Sequence, residues 1–374
     1  VFYRAGMRTL LIAGVAGALT LAGVGTASAA DNVTVMTRNV FLGADLGPAL
    51  RAGGTTEFID AAGQIFRQLE STNFPQRAKG LAQEIQTRKP DLIGLQEVAL
   101  WREGPVNINA VLEQKPTASK VYQDFLKILL KQVNKGPVKY EVVKVQDEFD
   151  FEAPTDTDGN PGTGLYGADK DMRLTMRDAI LKRVGTRVKV KDQRGAQYSK
   201  KNSFSVTVAG RVKVTSLRGW LSTRAKVGKG PWFTFANTHL EAFDDRTQVP
   251  SIRAKQAGEF AKAMAGAKGA LIAVGDFNSD SPGLVPGDEQ AFEALRSAGF
   301  RDIGTTTPLS CCIATSDDLR TGGDIDEFDH RVDQIFTTTP KRVERVRTWV
   351  TGREQTFGFW HSDHAGVVGR YRLR

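Results

Sequence analysis

The chain has 374 residues, 40% hydrophobic and 25% charged, with a net charge of +9 and two cysteines. Those proportions exclude a disordered chain and a bundle of membrane spans. The length allows one large domain or two ordinary ones, with a core that needs no disulfide framework.

The first thirty residues differ from the rest. Arg8 precedes "TLLIAGVAGALTLAGVG", and the small-residue exit "ASA" (Ala27, Ser28, Ala29) follows. A basic start, a short apolar stretch and an A-x-A-like end predict a signal peptide over 1–29 and a secreted protein. A membrane anchor would need a longer stretch with flanking charge. The mature chain is expected to begin near Ala30 or Asp31.

"NVTVMTRNVF" alternates in period two and predicts a first strand. "FIDAAGQIFRQLE" and "FPQRAKGLAQEIQTRK" have helical spacing, the second opening at Pro75 and stopping before Pro90. "PDLIGLQEV" reads as a buried strand ending on Gln96 and Glu97. "SKVYQDFLKILLKQV" reads as an amphipathic helix and "YEVVKVQDEFDF" as a strand. Ala153 to Gly167 reads as a loop whose acids suggest a structural Ca²⁺, although its glycine is misplaced for a calcium loop.

"DAILKRVGTRVKVKD", "NSFSVTVAGRVKV" and "GPWFTFANTHL" are expected strands, and "RAKQAGEFAKAMAG" a helix. "GALIAVGDF" predicts a buried strand, followed by the helix "DEQAFEALRSAG". "HRVDQIFTT", "RVERVRTWV" and the end of "HSDHAGVVGRYRL" are the last strands. Helices and strands mix throughout, with no linker or repeat, which favours one α/β domain over 30–374.

Charge is uneven. Lys182 to Lys229 holds fourteen Lys and Arg against one acid, Asp192, so this segment carries +13 and the remainder −4. Such a concentration suits a polyanionic partner, nucleic acid, an anionic lipid surface or a wall polymer, or else a soluble strand face. Cys311 and Cys312 are neighbours; they read as buried thiols or a vicinal disulfide, since a redox pair would want Cys-x-x-Cys spacing.

Six stretches share one grammar, an apolar strand meeting polar residues that bind metal or move protons. They supply Asn39, Glu97, His239, Asp276 with Asn278, Asp333, and Asp363 with His364. One such strand end is a turn or cap; several imply a site if the sheets align them.

In "TRNV", "IGLQEV", "NTHLEA", "VGDFNSD", "HRVDQIF" and "SDHAGVV" the chain resembles the endonuclease/exonuclease/phosphatase superfamily, with its deoxyribonuclease I-like fold. The resemblance spans essentially the mature chain. It implies a four-layer α/β/β/α sandwich, two packed mixed sheets flanked by helices, with the site at one end. It also implies Mg²⁺ or Mn²⁺ held by Glu97, with Asn39 beside it and Asp363 holding metal or water. Asp276 would orient or deprotonate the attacking water and Asn278 would hold the transition-state oxygen. His364 would contact the phosphate or move a proton, with Asp333 fixing its tautomer, and His239 would act from the opposite side. Asp178 sits where some relatives support the first histidine. Arg177, Arg253 and Gln256 are candidates for phosphate contact at the rim. Asp45 reads as a local cap, and His330 and His361 as structural or rim residues.

The expected activity is metal-dependent phosphodiester hydrolysis, most simply by a nuclease acting on DNA or RNA. A sphingomyelinase-like or phosphoinositide phosphoesterase, which would present a protruding aromatic hairpin to a membrane, is the second reading. A catalytically silent binding module is the third. Nothing points to a stable protein partner, so a monomer is expected. The loops Ala153–Gly167, Asp244–Pro250 and Thr305–Phe328 are expected to line the cleft, the last with acids that would repel a phosphate backbone.

Overall fold

The computed structural model describes residues 32–160, 164, 166–185, 187–244, 247–304, 308–315, 318–320 and 323–374. The predicted signal segment lies outside the described residues.

The first sheet holds β1 (Asn32–Asn39), β2 (Leu92–Gln96), β3 (Leu100–Gly104), β4 (Lys120–Asp124), β5 (Tyr140–Thr155), β6 (Lys170–Arg183), β15 (Val343–Thr351) and β16 (Gly366–Leu373). Their order is β15-β16-β1-β2-β6-β3-β4, with β5 also on β6. The second holds β7 (Val188–Gln197), β10 (Gly219–Val227), β11 (Phe233–His239), β12 (Leu271–Asp276), β13 (Arg301–Asp302) and β14 (Asp333–Thr337), in the order β13-β14-β12-β11-β10-β7. A separate hairpin pairs β8 (Phe204–Val208) with β9 (Val212–Ser216). Each large sheet is mixed: β1–β2 and β11–β12 are parallel and their other neighbours antiparallel.

Period-two alternation divides the core into layers. In β12, Leu271 and Ala273 face one way and meet α6 (Ile252–Met264) and α7 (Gln290–Ser297) through Phe260, Phe292 and Leu295. Ile272 and Val274 face the other way and meet Val35, Leu92 and Ile180 of the first sheet. Met36 and Leu95, on that sheet's far side, pack on α2 (Thr55–Ser71), α3 (Phe74–Arg88) and α5 (Phe125–Val133) through Leu69, Leu81 and Phe125. The result is α/β/β/α, as expected. Both sheets are covered on two faces, which explains why "LIGLQ" and "LIAVGD" read as continuous apolar runs.

The sheets meet closely at Gly94, where an added Cβ would lie 2.5 Å from Asn237 Oδ1. Asn237 sits in this interface with its polar atoms satisfied, accepting from Gln96 Nε2 (2.6 Å) and donating to Leu95 O (3.0 Å). The helices begin where local chemistry dictates. Asn73 Oδ1 accepts from Gln76 N ahead of Pro75 in α3, and Ser251 Oγ accepts from Ala254 N in α6.

Several elements differ from their sequence reading. Only Phe125–Val133 of "SKVYQDFLKILLKQV" is helical, capped by Asp124; Lys120–Asp124 is instead β4, paired with β3. Val121 and Tyr122 suit a strand, and a partner strand decides for it. "DAILKRVGTRVKVKD" is the end of β6 and the start of β7 in two different sheets, broken at Gly185 with φ +115°. β5 continues to Thr155, so the loop begins later than Ala153. β10 alternates Leu221, Thr223, Ala225 and Val227 inward yet escaped the sequence reading, β3 carries too little alternation, and α1 (Gly47–Arg51) and α4 (Ile108–Leu112) are too short.

Candidate active site at the end of the sheets

Strand pairing lines up the site. In the second sheet, register sets Gly219 opposite His239, His239 opposite Asp276, and Asp276 opposite Asp333. In the first, Asn39 ends β1 beside Gln96, and Glu97 follows. β1/β2 and β11/β12 are parallel pairs, so their C-terminal ends emerge at one edge, and antiparallel β14 starts there. His364 lies just before β16, the antiparallel neighbour of β1.

The side chains meet. Asn39 Nδ2 donates to Glu97 Oε1 and Asp276 Oδ2, both at 3.0 Å. Asp276 Oδ2 lies 3.6 Å from Nε2 of His239 and 3.6 Å from Nε2 of His364. His364 Nδ1 donates to Asp333 Oδ2 at 2.9 Å, and Ser310 Oγ donates to the same oxygen at 2.8 Å. That contact orients the His364 ring. Glu97 turns out of β2 with φ +59° and accepts from Leu42 N at 2.7 Å. Asn278, also left-handed at φ +46°, donates its backbone N–H to Asp276 Oδ1. Two such residues at one site store strain that the surrounding packing must hold.

The two imidazoles differ in charge. Burial and then Arg218 hold His239 well below the usual histidine range, so it is neutral. Burial alone would also lower His364, but Asp333, Asp276 and Asp363 outweigh it and raise it well above that range. Burial works against ionised Asp276 too, yet His364 and the hydrogen bonds from Asn39 and Asn278 hold it low. One end of the cleft therefore offers a neutral imidazole, an imidazolium and a carboxylate.

Burial raises Glu97, and Asp363 adds to the shift. Two carboxylates that repel across a cleft are the donor set a hard divalent ion relieves, so these residues fit Mg²⁺ or Mn²⁺. Asn39 stands beside Glu97 and Asp276. Its nitrogen is turned to the two carboxylates and its oxygen accepts from Phe41 N at 2.9 Å, which makes it a positioning group.

Asp178 is fully buried behind His239, with Oδ1 4.0 Å from Nδ1. Burial outweighs the attraction of Arg218 and raises it well above the carboxylate range. Arg218 went unnoticed in the basic segment. It is buried, donates from Nη1 to His239 Nδ1 at 3.0 Å, and pairs with Glu241 at 3.4 Å. Glu148, buried and raised well above its usual range by burial and Asp178, is a second omission. Neither lies in a distinctive motif; only the position of Glu241 in "NTHLEA" hinted at a partner.

Three expected rim residues are built into the scaffold instead. Arg177 Nη2 donates to Asp124 Oδ1 at 2.6 Å and its Nε to Val98 O at 3.0 Å, within the turn after Glu97. Arg253 grips Asp244, Asp288, Ala242 O and the carbonyl of Asn278. Gln256 bridges Glu241 N and Asn202 O. Arg253 spends Nε, Nη1 and Nη2 on carbonyls and acids, and Arg177 spends Nε and Nη2 in the same way, so both are anchored in the scaffold. Accordingly Arg177→Met is expected to lower the unfolding midpoint by several degrees while leaving KM for a phosphodiester within about twofold, measured by thermal melts and steady-state kinetics.

Asp45 accepts from Gly47 N in the turn that leads into α1. His330 pairs with Asp280 and His361 with Glu84, both structural. Cys311 and Cys312 are joined as a disulfide, with Cys311 Sγ 3.7 Å from His364 Nε2. In the described part of the Ala153–Gly167 loop, Asp156 and Asp158 accept backbone N–H groups of Gly159 and Asn160. Among the described residues, no group of three metal-binding side chains converges there. From the segment 305–328, Cys312 and Thr315 reach the cleft; residues 305–307, 316–317 and 321–322 lie outside the described residues.

The sequence matches the Endonuclease/Exonuclease/phosphatase family over residues 53–364. No curated protein matches it in sequence. In structure the chain is similar to an endonuclease/exonuclease/phosphatase family protein from Bacteroides thetaiotaomicron, at 16% identity and TM-score 0.51, over 92% of this chain and 98% of that one. It is also similar to a humanized TDP2 from D. rerio, at 16% identity and TM-score 0.51, over 91% and 99%. A third, an endonuclease/exonuclease/phosphatase from Beutenbergia cavernae, has 17% identity and TM-score 0.50, over 92% and 72%. These likenesses carry the fold.

Proposed function

Because the chain belongs to the endonuclease/exonuclease/phosphatase family, we propose that it is a divalent-metal-dependent phosphodiesterase, exported through its N-terminal segment. One observation carries this reading: Nε2 of His239 and Nε2 of His364 each stand 3.6 Å from the Asp276 carboxylate, and Asn39 ties that carboxylate to Glu97. A bound Mg²⁺ or Mn²⁺, held by Glu97 and Asp363, would neutralise phosphate oxygens.

The chain's own groups supply the rest. Asp276 orients a water and takes its proton as the water oxygen bonds to phosphorus. The bond from phosphorus to the leaving oxygen breaks, and His364 Nε2 gives that oxygen a proton. His364, held charged by Asp333, faces the negative charge on the phosphate. Asn278 spends one amide hydrogen on Leu240 O at 2.9 Å and retains the other for a phosphate oxygen. Asp178 and Arg218 keep the His239 ring in place.

Nucleic acid is the first substrate reading, and the basic segment supports it only in part. Exposed Lys200 and Lys201 lie between the site end of β7 and cleft-lining Phe204. Lys191 and Lys189 are six and eight residues back along β7 from Gln197, the partner of Gly219, or roughly 20 and 26 Å away. There they charge an edge strand. The expected result is turnover of a phosphodiester with Mg²⁺ or Mn²⁺ that EDTA abolishes. The assay offers plasmid DNA, RNA, sphingomyelin and inositol phosphates to purified protein. Absence of turnover on all four, under either metal, would favour the silent module.

A further inference from the structure

The cavity that holds Glu97, Asp276 and His364, about 310 Å³, is only partly polar. Leu46, Leu50, Phe149, Phe204, Val206 and Val214 line it as well. Four of these, Leu46, Leu50, Phe149 and Val214, also line a second cavity of about 70 Å³, whose other walls are apolar apart from Thr155. Apolar space thus runs on from the catalytic groups.

The β8–β9 hairpin makes this space. It leaves the second sheet between β7 and β10 and docks on elements of the first-sheet half. Alternation turns Val208, Val212 and Val214 inward against Ala52 and Phe58, while Arg211, Lys213 and Thr207 point out. Ala209 N donates to Ala52 O at 3.3 Å and pins the tip. The hairpin is therefore a wall of the cleft. The tip half of its apolar face packs on the protein, unlike a protruding membrane-entry hairpin, while Phe204, Val206 and Val214 line the cleft.

We infer that the substrate is a phosphoester carrying an apolar substituent, alkyl or aryl, that lies against this wall while its phosphate meets the catalytic end. The inference rests on the phosphodiesterase reading and names the chemistry of its substrate. The phosphate is served entirely by Glu97, Asp276, Asn278, Asp363 and His364. Apolar surface next to that polar end gains only when an apolar group displaces its water. A bare sugar–phosphate chain has nothing to offer Leu50, Val206 and Val214. Continuity with the catalytic groups through one cavity ties the wall to the substrate.

The test is a series of alkyl p-nitrophenyl phosphodiesters, from methyl to hexyl, with the leaving group held constant. Burial of a methylene is worth up to about fourfold, so kcat/KM should rise at least about tenfold along the series and then level off. Leu50→Gln and Val206→Thr, both at half-buried positions, should compress the hexyl-to-methyl ratio by about fivefold or more. Thermal melts verify that both variants fold. Calorimetric binding of methyl-, hexyl- and phenylphosphonate to the metal-loaded protein gives a readout that needs no turnover, and the phenyl arm separates an aryl from an alkyl occupant. Tighter hexyl or phenyl binding without turnover of any ester would sink the phosphodiesterase reading and keep the apolar site. Turnover with a flat series, or equal binding of all three phosphonates, would overturn the inference.

Discussion

His364→Ala is expected to lower kcat by about 10³- to 10⁴-fold, with KM changed far less. The ring is the charged group facing the phosphate, and its charge is built by Asp333, Asp276 and Asp363 against the opposing effect of burial. Asp333→Asn should lose most of the same factor, because Asp333 acts only through the Nδ1 hydrogen bond at 2.9 Å. The double variant should then be scarcely worse than His364→Ala, since residues that act as a unit are not additive. Steady-state turnover of bis-p-nitrophenyl phosphate measures all three, with thermal melts to establish folding. Fully additive losses would mean that Asp333 serves another group.

The second large effect is on stability. Arg38 and Glu84 form a buried ion pair at 2.9 Å, and Glu84 also accepts from His361 Nδ1 at 2.6 Å. Arg38 donates to the carbonyls of Asn39 and His364, so this pair ties the end of β1 to the turn before β16 behind the cleft. Arg38→Met should destabilise the fold by about 3–5 kcal/mol, because it strands a buried carboxylate.

The pH dependence of that loss has a definite sign. Burial alone would raise the Glu84 carboxyl, but Arg38 and His361 outweigh it and hold it below its ordinary range. In the native chain Glu84 therefore adds stability above its unfolded value of about 4.3, and this is lost as pH falls through the lower folded value. Without Arg38, burial gains weight and the carboxyl takes up a proton more readily. The deficit of Arg38→Met should therefore shrink from pH 7 towards pH 4. Urea unfolding at the two pH values measures it; a deficit independent of pH would mean that packing, and not charge, makes up the loss.

Much of the site was legible because its residues end strands. A strand that runs apolar and stops on Asp276, His239 or Glu97 carries its own signal, and the order of the motifs supplied the rest. Arg177 and Arg253 misled because a cation beside a motif looks the same whether it meets phosphate or a carbonyl. Only the fold shows Asp124 and Asp244 spending their donors. Arg218 and Glu148 were silent for the opposite reason. Arg218 just before β10 and Glu148 within β5 look in sequence like any charged residue beside or in a half-exposed strand, and burial alone gives them meaning.

The hairpin marks the same boundary. "NSFSVTVAGRVKV" determines two short alternating strands, because period two and a glycine turn are local properties. Sequence also determined the layered α/β class, through the alternation of covered strands with amphipathic helices, and the identity of the acids and imidazoles at the strand ends. Where the hairpin lands, which lysines face the cleft, and which carboxylates pair with which histidine were decided only in the tertiary structure. Those outcomes depend on contacts between residues up to hundreds of positions apart, and an imidazole takes its charge from whichever neighbours packing brings within a few ångströms.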